Sequence, residues 1–176
     1  AFLYASGDSD PFDSTETGFD AIFENPRFAG ADTSYWIRQP VPLIGGGGAV
    51  LSGRNGILNS LRSSKEEGQA NFANPGIRLI GAGFDMDLTP EFRLSGNLNH
   101  LSFDDTAVLD QLRMQPLSSR EIGWDASVAA IWRPLFTQNV VARLSAAALF
   151  PEDGFRELFP DQDLHYSVLF NLVLTY

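Results

Sequence analysis

From Leu164 to Tyr176 the chain alternates. Every even position is apolar: Leu164, Tyr166, Val168, Phe170, Leu172, Leu174 and Tyr176. The odd positions hold His165, Ser167, Asn171 and Thr175, with Leu169 and Val173 as exceptions. Successive side chains point to opposite faces of a strand, so this segment predicts a strand with one greasy face and one wet face. The same even phase recurs in Ile80–Leu88, Phe92–Leu98, Ile122–Trp132 and Val140–Phe150, where small, polar or charged residues fill most odd positions. Aromatic residues sit near the strand ends.

The intervals between strands set a topology. Thr89-Pro90-Glu91 and Pro134-Leu135-Phe136-Thr137-Gln138 read as tight turns. They alternate with long connections over 8–75, 104–119 and 152–163. Six antiparallel strands are therefore expected near 1–7, 76–88, 91–104, 120–133, 139–150 and 164–176, in up-and-down order. The organisation is a strand stub (1–7), one long loop (8–75) and five C-terminal strands (76–176). Within the long loop, Arg54 to Glu67 offers a short amphipathic helix, with Ile57, Leu58 and Leu61 on one side.

A soluble sandwich also alternates. Two features separate the readings. Tyr166 and Tyr176 lie ten residues apart, which on a tilted strand is about 25 Å along a barrel axis, the spacing of two aromatic girdles. Short turns at one end and long loops at the other form the second feature. The fold class expected is all-β: an antiparallel up-and-down transmembrane β-barrel in a Gram-negative outer membrane. Six strands fall short of the smallest such barrels, which have about eight. An edge open to lipid is not tolerable. The chain is thus expected to be part of a larger barrel, or to share one with other chains.

Composition changes this picture little. There are 176 residues and no cysteine, hence no disulfide framework and no thiolate metal site. No apolar run reaches 18 residues. The opening Ala1-Phe2-Leu3-Tyr4-Ala5 lacks a basic n-region, which reads as a mature chain or a fragment. Charge changes it more. The net charge of −10 lies wholly in the three long connections, while strands and turns hold five acids and five bases. Acidic loops at one end attract cations and repel nucleic acid.

The run Tyr4-Ala5-Ser6-Gly7-Asp8-Ser9-Asp10-Pro11, followed by Gly18-Phe19-Asp20, resembles the strand-to-loop junction of the alginate-export family of outer-membrane porins. The resemblance is best over about the first 30 residues and general over the C-terminal strands. It implies a large single-chain barrel, of which this chain would be about the last third, exporting hydrophilic solutes such as polysaccharide.

Candidate chemistry is sparse. Asp8, Asp10 and Asp13 offer closely spaced oxygens of the kind Ca²⁺ takes, though the EF-hand pattern is absent and the same aspartates suit turn capping. Gly45 to Gly48 lacks the Gly-Lys-Ser/Thr end of a P-loop. Asp85, Asp87, Arg93, Glu121, Asp125, Arg133 and Arg143 share the inward phase and would line a pore, or neutralise one another along a wet wall. His100 and His165 fall on opposite phases near the outer strand ends, which disfavours a hydrolytic site using both. The chain is therefore read as no enzyme. Three functions stay open: a porin conducting or exporting hydrophilic solutes, a structural barrel that sheaths or anchors a partner protein, and, least favoured, an outer-membrane hydrolase. The partners implied are the bilayer, lipopolysaccharide, a hydrophilic solute, and other barrel-forming chains or a sheathed protein.

Overall fold

The computed structural model describes residues 1–10, 12–15, 17–18, 30, 34–35, 75–134, 139–160 and 163–175. The expected helix at Arg54–Glu67 and the Gly45–Gly48 run lie outside them. Six strands follow in chain order: β1 (Phe2–Ala5), β2 (Ile77–Thr89), β3 (Phe92–Ser102), β4 (Glu121–Trp132), β5 (Val140–Pro151) and β6 (His165–Leu174). They form one antiparallel sheet in the order β1-β2-β3-β4-β5-β6, each strand beside its sequence neighbour. The sheet is open, with β1 and β6 at its edges. Among the described residues no helix is long and apolar enough to cross a membrane.

The local reasons are plain. Pro90 and Glu91 make the β2–β3 turn, and Thr89 Oγ1 accepts a hydrogen bond from the Phe92 N–H at 3.1 Å. β5 is rich in alanine, a weak strand former. Full pairing on both sides holds it, from Trp132↔Ala142 to Gly123↔Pro151 on β4 and from Val140↔Leu174 to Leu149↔His165 on β6. On the even face, alanines and Gly96 leave room for large neighbours. Across the sheet the rows read Met86, Leu94, Ala130, Leu144, Phe170 and Phe84, Gly96, Val128, Ala146, Val168. The Phe84 ring lies over Gly96, where a Cβ would meet it at 2.5 Å.

Two short helices occupy connections expected as loops: α1 (Ala107–Arg113) and α2 (Asp153–Leu158). Neither crosses a strand segment. Their apolar residues Val108, Leu109, Phe155 and Leu158 join Leu79, Leu101, Phe103, Ile122 and Leu149 in the buried core. That core caps the odd face at the loop-bearing end. Arg113 Nη1 donates to Glu157 at 3.2 Å, and Ser118 donates from both its N–H and its hydroxyl, binding the end of α1 to α2. The Ser118 hydrogen bonds, with Arg113 beside them, hold the Glu157 carboxyl below the usual carboxylate range.

One expectation of phase fails. Parity places Ile122 on the greasy even face, yet it is fully buried in the core. The ladder between β3 and β4 shifts register between Leu101 and Ser102. Gly123, at φ +136°, takes up the extra residue and turns the chain over. A Cβ there would stand 2.1 Å from the Phe150 carbonyl oxygen. Gly123→Ala should therefore lose about 1–3 kcal/mol, the scale of a residue forced into a rarely populated backbone region. Urea unfolding read by tryptophan fluorescence measures it, and wild-type stability in this variant would remove the bulge from the argument.

Candidate functional site

The odd face divides into three layers along the strands. At the loop-bearing end it is the apolar cap just described. Next comes a polar belt of Asn99 and Asp125, then Asn97 and Ser127, then Ser95 and Ser145. Asn99, Asp125 and Ser145 are almost wholly buried. Asn99 and Asn97 lean toward Gly81 and Gly83 of β2, where a Cβ would meet their Oδ1 atoms at about 2 Å (1.9 and 2.1 Å). At the short-turn end the face is charged and open. Arg93 grips Asp87 through two bonds, Nε–Oδ1 at 2.7 Å and Nη2–Oδ2 at 2.9 Å. Asp85 and Arg133 stand near enough to act on this pair electrostatically. Arg143 lies in the same cross-strand row as this pair, between Ile131 and Asn171.

The even face is its opposite. Ile80, Phe84, Met86, Val128, Leu144, Val168, Phe170 and Leu172 are all exposed, as are Trp124 and Trp132 nearer the ends of β4. The register places Asp85, Asp87, Arg93, Asp125 and Arg143 together on the odd face, and Arg133, just past β4, acts on Asp87 from nearby. Glu121 does not share that face. It precedes the bulge at Gly123 and pairs with Ser102, so it shares the even face with His100.

At Gly30, Ser34 and Tyr35 the long connection lies against the odd face. The Ser34 hydroxyl donates to Asp125 Oδ2 at 2.8 Å, in a buried setting. Gly30 lies against the Asn97 side chain. Tyr35 packs on the His165 ring at 5.8 Å between centroids, beside Phe155 and Phe159. Three described residues of the loop thus rest on the polar belt and the cap.

At the loop-bearing end one carboxylate ties three segments together. Asp104 Oδ1 accepts from Arg78 Nε at 2.8 Å and forms an ion pair with its Nη2 at 2.6 Å. Its Oδ2 accepts from the Gly7 N–H at 3.0 Å and the Tyr4 hydroxyl at 3.1 Å. Burial by itself would raise its pKa, but the Gly7 N–H, the Arg78 guanidinium and the Tyr4 hydroxyl together hold it below the usual carboxylate range. Gly7 must be a glycine here, since a Cβ would stand 2.4 Å from the Pro75 carbonyl oxygen and 2.9 Å from Asp105. The Ser6-Gly7-Asp8 run therefore has a structural use, which no spacing rule discloses.

The three candidate calcium ligands are engaged locally. Asp8 Oδ1 accepts from the Asp10 N–H at 3.4 Å and from Thr17 Oγ1 at 3.2 Å. Asp10 Oδ1 accepts from Phe12 N at 3.0 Å and Asp13 Oδ1 from Thr15 N at 2.9 Å, two successive Asx turns. Among the described residues, the group whose ligand atoms converge is another: His100, Glu121 and Glu152. Sequence parity separates Glu121 from His100, and only the bulge reunites them. His165, by contrast, sits on the odd face, so the two histidines share no site.

Removing the Asp104 carboxylate leaves the Gly7 N–H without its acceptor. Asp104→Ala should cost about 2–3 kcal/mol, the scale of losing hydrogen bonds to a charged group. Because the folded pKa is depressed, the stability is present above the ordinary value of 3.8 and fades as pH falls below it. The gap between wild type and Asp104→Ala should therefore narrow between pH 5 and pH 2 in urea titrations. A gap that widens toward low pH would contradict this assignment.

Against this geometry, comparison with known proteins adds nothing: no family model, no curated protein and no solved structure matches the chain.

Proposed function

We propose that the chain forms part of an outer-membrane β-barrel that conducts small hydrophilic solutes, with its acidic loops favouring cations. The observation that carries this reading is the segregation of the two faces. Large apolar side chains are exposed along the even face of every strand, while the odd face beyond its apolar cap is mostly polar and charged, with Leu169 and Val173 of β6 as exceptions. A contiguous apolar face of this extent is out of place in water. It fits hydrocarbon outside and water inside. The rows of aromatics near the strand ends, Trp132 with Phe92 at one end and Trp124 with Phe150 at the other, support the same orientation. The open edges call for further strands, from the same polypeptide or from another. A polysaccharide cargo, as the alginate-export resemblance implies, would be a special case of this path.

The loop contacts bear on conductance. Ser34 and Tyr35 hold part of the long connection against the inner face. That supports a constriction on the outer side of the path. Loop carboxylates raise the local cation concentration, and salt screens them over about 10 Å at 0.1 M and about 3 Å at 1 M.

The test is reconstitution of the intact natural polypeptide in a planar bilayer. It should pass K⁺ more readily than Cl⁻ at 0.1 M salt, and less selectively at 1 M. Ser34→Ala combined with Tyr35→Ala should raise conductance by loosening the loop. A sealed bilayer, with a second protein co-purifying inside the barrel, would favour a sheath. A preference for anions would mean that Arg93, Arg133 and Arg143 outweigh the loops, as an anionic polysaccharide path requires.

Depth along the strands gives a second test. Val128→Arg, at mid-strand, should cost about 2–4 kcal/mol for folding into vesicles, whereas Trp132→Arg should cost about 0–1 kcal/mol from the charge itself. Equal losses would contradict a bilayer around this face.

A further inference from the structure

We propose that His100, Glu121 and Glu152 form a binding site for one zinc ion on the outward face of the sheet, at its loop-bearing end. The three come from β3, from the first residue of β4 and from the residue after β5. Their ligand atoms all lie within 4.8 Å of one another. His100 Nε2 stands 3.4 Å from Glu121 Oε2 and 3.6 Å from Glu152 Oε2. Those separations are long for charge-assisted hydrogen bonds. They suit a shared ion: nitrogen and oxygen ligands about 2.0–2.2 Å from a tetrahedral zinc stand about 3.4 Å apart.

The environment points the same way. Glu121 Oε2 is shielded from solvent and has no hydrogen-bond partner, an unusual state for a carboxylate oxygen. The two carboxylates face each other, and among the described residues their only ionic partner is His100. A divalent cation satisfies the stranded oxygen and balances both charges. One imidazole with two carboxylates suits zinc and its transition-metal neighbours better than Ca²⁺ or Mg²⁺, which favour all-oxygen shells. Three protein ligands leave the fourth position to water.

The fold builds the site at some expense. Without the bulge, Glu121 would point to the other face. Gly123, at φ +136°, turns it back beside His100. The Glu152 N–H donates to the Ile122 carbonyl at 2.9 Å, which fixes the third ligand against the same bulge. The Trp124 ring lies tilted against the imidazole at 4.8 Å between centroids and limits its rotation. An ion here would join β3, β4 and the start of the last loop, just beyond the Trp124 and Phe150 aromatics. The site depends on this register alone and stands whether or not the barrel conducts.

The experiment is a zinc titration of the purified full-length polypeptide in detergent, in competition with a chromogenic chelator, with thermal unfolding followed in parallel. One equivalent should bind per chain, and the unfolding midpoint should rise with zinc concentration. His100→Ala, Glu121→Gln and Glu152→Gln should each weaken binding at least tenfold and abolish the zinc-dependent rise. Their midpoints without zinc report that the fold is kept. Millimolar Ca²⁺ should not displace the metal. Failure of the wild-type protein to bind zinc stoichiometrically would overturn the proposal, as would unchanged affinity in His100→Ala.

Discussion

The structure depends first on the parity of an in-register antiparallel ladder. Each inter-strand pair fixes which face a residue takes, and a slip by one residue would send every apolar side chain to the polar side. Five ladders hold that parity across the sheet, so that Asp87, Arg93, Arg143 and Asn171 share one row while Met86, Leu94, Leu144 and Phe170 share its opposite. The two faces are therefore a single property of the sheet. The polar belt cannot be altered without regard to the exposed apolar face behind it.

At the loop-bearing end this regularity gives way. The odd face turns apolar there and is sealed by α1, α2 and Phe103. Asp104 then draws the end of β1, the start of β2 and the β3–β4 connection to one carboxylate. These arrangements divide the labour. Burial of Leu101, Ile122, Leu149 and Phe155 supplies the hydrophobic gain. Directional bonds to a single charged group supply the geometry, and leave little tolerance for a side chain at Gly7.

Strands and faces were legible in the amino-acid sequence because a period of two, repeated in one phase, has few readings. The expected boundaries fall within a few residues of the observed ones, and Phe84, Trp132 and Phe170 face as expected. What escaped was non-periodic. The six- and seven-residue helices are too short for a periodic signal. A single bulge at Gly123 reversed Ile122 and Glu121, and nothing marks it beyond one glycine at a strand entrance, a weak sign among 16 glycines. The convergence of His100, Glu121 and Glu152 depends on that reversal. The role of Asp104 was hidden for another reason, since its partners lie 26 and 97 residues away.

The pairing of Phe2 with Ile80 has a kinetic consequence. β2 through β6 pair with their sequence neighbours, across connections far shorter than the one that follows β1. β1 must instead find β2 across more than 70 residues of intervening chain, and the entropy of closure rises with the logarithm of that length. It contributes only four residues of strand in return. Local hairpins should therefore assemble first, with β1 docking late, when the carboxylate of Asp104 and the Arg78 guanidinium are already in place to receive it. Ser34 and Tyr35, which lie between β1 and β2 along the chain, would then settle on the odd face late, after the strands that carry Asp125 and His165 have paired.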